Sequence, residues 1–136
     1  MPHLVILYTA NLEKETDMTA LCRTLADTML QVKDETGAQV YPTGGTRVFA
    51  YPAPHYAVAD SKDDYAFVYL NVRMAKGRSY ATKKIAGEAI MASAKSHFES
   101  VFTQRHIGMT LQIDEGFEVF DAKHSNLHPL FNKSVI

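Results

Sequence analysis

Residues 65–104 read YAFVYLNVRMAKGRSYATKKIAGEAIMASAKSHFESVFTQ, an apolar run, a glycine turn and a helical run in one piece. Tyr65 to Met74 is dense in branched and aromatic residues, as a well-covered strand requires. Gly77-Arg78-Ser79 makes a turn, Ser79 is placed to cap a helix, and the helix is predicted to continue to about Gln104. Its buried stripe is expected at Ala86, Ala89, Ile90, Ser93, His97, Val101 and Phe102. Beyond it, Gly108 to Glu115 sets Met109, Leu111 and Ile113 against Thr110, Gln112 and Asp114, the alternation of a half-buried strand.

The same order stands upstream. Pro2 to Thr9 contains the continuous run LVILY, expected to be a central strand covered on both faces. Asp17 is the N-cap of a helix carrying Met18, Leu21, Leu25, Met29 and Val32 at helical spacing, with Gly37 as its stop. Residues 46–51 (TRVFAY) form the next strand, with Arg47, Phe49 and Tyr51 on one face and Val48 and Ala50 on the other. Residues 52–64, with Pro52, Pro54 and the SKDD run, form a surface connection.

Crossovers of this length make the paired strands parallel. The reading is therefore an α/β (α+β) fold of two βαβ units, about 2–51 and 65–115, in one domain of 1–136 with a C-terminal segment 116–136. Four strands with two helices on one face leave the other face in need of cover, and self-association supplies it. The last residues, with Phe117, Val119, Phe120, Leu127, Leu130 and Phe131, are too apolar for a free tail and are expected to wrap a neighbouring subunit.

Composition excludes several roles. A net charge of -1, from 14 basic and 15 acidic residues without a basic cluster, offers nucleic-acid phosphates little to hold. No apolar run is long enough for a bilayer and no basic leader precedes the first strand, so a cytoplasmic protein with no membrane or nucleic-acid partner is expected. Cys22 stands alone among apolar helix positions and reads as a structural thiol.

Pro2 becomes a secondary amine if Met1 is removed, and with Met1 in place its nitrogen is an amide with no lone pair to offer. A free amine has an ordinary pKa near 8, and burial beside guanidinium groups lowers it toward the range where a general base works best. The competing reading is that Met-Pro merely eases methionine removal. Arg47 and Arg78 are the arginines best placed to converge on the end of a central strand and to grip carboxylates with their planar forks, against the alternative of solvated surface charges. Arg73 reads as an edge or intersubunit charge. His124 and His128 have a metal-like spacing, but the intervening SNL and Pro129 argue against a helix and no further ligand completes a site, so no metal is expected. Gly44-Gly45 and Gly77 read as turns rather than a phosphate loop.

The segments PHLVILYT, DDYAFVYLNVRMAKGRS, KSHFESVF and NLHPLF together resemble the 5-carboxymethyl-2-hydroxymuconate Δ-isomerases of the tautomerase superfamily, across nearly the whole chain. The second half is also similar to the short 4-oxalocrotonate tautomerases, whose strand leads into GRS and a helix. The resemblance implies a tautomerase-like homotrimer of two βαβ units, with Pro2 as proton shuttle and Arg47 and Arg78 as the active-site arginines, catalytic and substrate-binding. It implies a small dicarboxylate or tricarboxylate enol as substrate, no cofactor, and a place in aromatic catabolism by way of homoprotocatechuate. The second unit has Ala66-Phe67-Val68 where another proline could stand, so one amine site per chain is expected. Which arginine binds carboxylate, and whether another 2-hydroxydienoate or enol acid is the substrate, stays open. A ferredoxin-like module that binds a small acidic ligand without chemistry is the alternative from a different class.

Overall fold

Pleating sends alternate residues of a strand to opposite faces, and β1, His3–Thr9, divides accordingly. Leu4 and Ile6 are fully buried beneath the helices, and Leu7 on the other face is 47% exposed. The run is therefore covered on one face within the chain, not on both as its continuous apolarity predicts. The computed structural model describes residues 2–131. Met1 and residues 132–136, the end of the segment expected over 116–136, lie outside the described residues.

Beyond β1 come α1 (Met18–Gln31), β2 (Arg47–Ala53), β3 (Ala66–Met74), α2 (Tyr80–His97), α3 (Glu99–Gln104), β4 (Ile107–Glu115) and α4 (His128–Phe131). The sheet order is β2-β1-β3-β4. β1 runs parallel to β2 and β3 parallel to β4, while the central pair β1 and β3 is antiparallel. The result is a four-stranded mixed α+β sheet of two βαβ units. Each unit pairs its own strands directly, which sets aside the ferredoxin-like alternative, whose βαβ units are split by a strand of the other.

α1 and α2 share one face of the sheet, joined by a 2.8 Å hydrogen bond between the hydroxyls of Thr28 and Ser93. Between them and the strands lie Leu4, Ile6, Leu21, Leu25, Leu70 and Ile90, none of them exposed. Each side chain buried so completely contributes about 1.5–3 kcal/mol. The opposite face carries Leu7, Phe49, Tyr51 and Phe67 open to solvent in the single chain.

Two helix boundaries differ from expectation. Asp17 caps α1 through the Ala20 N–H as predicted, but the helix ends at Gln31, because Val32 is already extended. The Asp34 carboxylate accepts from the N–H groups of Thr36 and Ala38, and this turn, not a helical one, takes Gly37 at φ +84. Ser79 caps α2 through the Thr82 N–H, yet the helix breaks at Phe98 before α3. Ala86, Ile90 and Val101 are buried as expected, joined by Thr82, Ala94 and Phe98, while Ala89, Ser93 and His97 are half-buried and Phe102, beyond the break, is 47% exposed. Along the final segment α4 begins at His128, with Pro129 in its first turn, where a missing N–H costs nothing.

Candidate active site

Because β1 is parallel to β2 and antiparallel to β3, one end of the sheet gathers the starts of β1 and β2, the end of β3 and the entry to α2. Pro2 is buried at that end, directly before β1. Arg47 opens β2 opposite His3 in the register. Its Nη1 donates to the Pro2 carbonyl at 3.2 Å and to the Gly45 carbonyl at 2.8 Å, and its Nη2 lies 3.5 Å from His3 Nδ1. Two carbonyls fix the guanidinium without neutralising it, and among the described residues no carboxylate pairs with it.

The turn that supplies the Gly45 carbonyl needs its first glycine. A Cβ on Gly44 would stand 2.6 Å from His128 Nδ1, so α4 can pack there only against a bare backbone. His128 Nδ1 is buried there without a hydrogen-bond partner among the described residues.

Arg78 follows Gly77, whose φ of +108 turns the chain from β3 toward α2. Its Nη2 donates to the Val40 carbonyl at 2.5 Å. Beside it Tyr41 is fully buried, its hydroxyl 3.8 Å from Met74 Sδ. Burial pushes the Tyr41 phenol pKa up, and the positive charge of Arg78 works against that rise. The start of α2 is tied down by Glu35, which accepts from Ser79 Oγ at 2.9 Å and Thr82 Oγ1 at 2.6 Å. These two bonds hold the Glu35 carboxyl below its usual range. The structure thus brings Arg47 against Pro2 and sets Arg78 at the same end of the sheet, against the 40–41 backbone.

A cavity of about 440 Å³ opens at this end, between His3 and Arg47, Arg73 and Met74, and residues 121–124 of the final segment. Arg73 reads from sequence as an edge or intersubunit charge; it stands exposed, but on the inner strand β3, between His3 of β1 and Asp114 of β4. Lys123 and His124 come from irregular chain, where periodicity carries no signal. No group of three or more His, Cys, Asp or Glu side chains among the described residues is disposed to hold a metal ion.

Residues 2–131 match the family described as 5-carboxymethyl-2-hydroxymuconate isomerase. A crystal structure of a 5-carboxymethyl-2-hydroxymuconate delta-isomerase is 55% identical at a TM-score of 0.94, over 98% of this chain and 94% of that one. A 5-carboxymethyl-2-hydroxymuconate isomerase from Deinococcus radiodurans R1 is 34% identical at a TM-score of 0.86, over 97% and 95%. The 5-carboxymethyl-2-hydroxymuconate Delta-isomerase of Escherichia coli is 28% identical over 96% of this chain and 99% of its own length. A fused 4-OT, 16% identical with a TM-score of 0.51 over 86% of this chain and 91% of its own, shares the fold. This chain, matched from Pro2 to Phe131, belongs to the 5-carboxymethyl-2-hydroxymuconate isomerase family.

Proposed function

We propose that the chain ketonises 5-carboxymethyl-2-hydroxymuconate, with the Pro2 amine, uncovered by loss of Met1, as the group that carries the proton. The observation that supports this most directly is the buried Pro2 at the start of β1 with the Arg47 guanidinium on its carbonyl. Burial and a neighbouring cation both disfavour the ammonium form and favour the free base. The ring narrows the motion of that base, since its φ is fixed.

In the reaction the base takes the 2-hydroxy proton and the O–H bond breaks. The electron pair moves through the diene, and C5 takes a proton from the prolinium nitrogen, forming a C–H bond. The remaining double bond is then conjugated with the new 2-oxo group. Arg47 and Arg78 divide two tasks, pairing with a substrate carboxylate and offsetting the negative charge of the dienolate. The step needs no cofactor. The open sheet face with Leu7, Phe49, Tyr51 and Phe67 fits burial in a homotrimer. The setting is cytoplasmic breakdown of aromatic acids by way of homoprotocatechuate.

The test compares chains with and without Met1, identified by intact mass, in an ultraviolet assay of dienol ketonisation. The form retaining Met1 should turn over at least about 100-fold more slowly, the lower range of what one acid–base group supplies. Equal rates would reject the amine mechanism.

A further inference from the structure

From the gathering of Arg73, Lys123 and His124 with Arg47 around one cavity, we infer a second anion subsite that takes the carboxymethyl carboxylate of the substrate, making the 116–124 segment the element that selects a tricarboxylate. The inference rests on the reading given under Proposed function and names the part of the substrate that this end of the cavity holds.

The register fixes the row. His3 lies opposite Arg47 on one side and opposite Arg73 on the other, so the three side chains leave the same face of the sheet. Two strand spacings, about 10 Å, separate the backbones of the two arginines. Guanidinium groups on stems of this length can hold opposite ends of one small polyanion. Arg47 is committed to the Pro2 end by its two carbonyl bonds. Arg73 makes no ion pair among the described residues, and Asp114, its neighbour across β4, accepts instead from Asn71 Nδ2 at 2.8 Å.

The final segment closes the other side. It is joined to the end of β3 by the Gly116 N–H, which donates to the Met74 carbonyl at 3.0 Å, and to the turn that follows by Lys76 Nζ, 3.5 Å above the Phe117 ring. From there Lys123 and His124 line the same cavity as Arg73. Two carboxylates, Glu118 and Asp121, also line it, against the three cations Arg47, Arg73 and Lys123. Asp121 is the ion-pair partner of Lys123, which leaves Arg73 as the cation of this group without a carboxylate at ion-pair distance among the described residues. Glu118 folds back onto its own backbone at Gly116.

5-Carboxymethyl-2-hydroxymuconate has three carboxylates, and 2-hydroxymuconate lacks the one on the branch. General positive charge also favours the trianion, but removing one cation then weakens both acids, whereas losing a residue of a branch subsite weakens the tricarboxylate alone. The experiment is calorimetric titration of the full chain, wild type, Arg73→Ala and Lys123→Ala, with two inert probes: hexanedioate, and hexanedioate bearing a 2-carboxymethyl group. Wild type should prefer the tricarboxylate, and each variant should weaken that probe by about tenfold, the scale of one charged hydrogen bond at a partly exposed position, and hexanedioate by less than about twofold. Equal weakening of both probes, no weakening of either, or a wild type with no preference overturns the subsite. Because binding is read without turnover, the amine mechanism can fail in its own assay while this result stands, and the reverse.

Discussion

The two βαβ units place an arginine at matching ends of their strand pairs and treat it in opposite ways. In the first unit Arg47 opens β2 beside Pro2 and is held by the carbonyls of Pro2 and Gly45. In the second, Arg105 lies just ahead of β4, with Ile107 opposite Ala66 where the first unit has Arg47 opposite His3. Arg105 pairs with Glu15 at 3.0 Å and with Asp64 at 2.9 Å, and its side chain is only 12% exposed. A guanidinium matched by carboxylates closes a loop, and one held by carbonyls keeps its charge for a ligand. The chain also runs on through Tyr65, so the second end has a peptide nitrogen where the first could expose an amine. Duplicated architecture therefore yields one candidate site and one structural clasp.

Exchanging these roles gives the largest expected effect. Arg47→Ala should lower kcat/KM for dienol ketonisation by about 10²–10³-fold, the range seen when a preorganised donor to a developing oxyanion is removed. Stability should fall as well, by about 1–3 kcal/mol, because Pro2 and Gly45 are buried and their carbonyls lose a donor, so kcat/KM is read per folded molecule. A variant retaining wild-type kcat/KM would show that the uncompensated charge is incidental. Next in size is Arg105→Ala, which should cost about 2 kcal/mol of stability by urea denaturation. Loss of one partner from a buried pair costs more, but Glu15 and Asp64 are 33% and 71% exposed, and solvent screens them once they are released. Its kcat/KM per folded molecule should match wild type. An activity loss as large as that of Arg47→Ala would erase the distinction between the two ends.

Much of this comparison is legible in the sequence, and what is hidden has physical reasons. Four strands and two crossovers follow from apolar runs and caps, and Asp17 and Ser79 cap as read. LVILY misleads because a strand with apolar residues on both faces looks the same whether the second cover is its own chain or another. Gly37 misleads because a glycine ends a turn as readily as a helix, and the Asp34 carboxylate decides for the turn. The break at Phe98 is invisible because helical spacing resumes within a few residues. At the candidate site, Pro2 and Arg47 stand out by chemistry and by strand position. Arg73, Lys123 and His124 do not, since their approach depends on how the irregular 116–124 segment folds back. Tyr41 is likewise hidden, in a connection with no period.

The smallest effect tests whether the clasp at Arg105 depends on charge. Asp64 accepts from Asn11 Nδ2 at 3.0 Å and pairs with Arg105. The Asn11 hydrogen bond first, and Arg105 second, hold its carboxyl below the usual range. A carboxyl depressed in the folded state adds stability that is present above its unfolded pKa, near 3.9, and is lost as pH falls through the folded value. Asp64→Asn should therefore unfold at a lower temperature than wild type at pH 7. The gap should narrow once pH drops below about 4, where the wild-type carboxylate takes up a proton and the pair with Arg105 loses one of its charges. A gap that stays constant from pH 7 to pH 3 would mean that Asp64 contributes shape and hydrogen bonding alone, and that the second end of the sheet is closed by Glu15 without it.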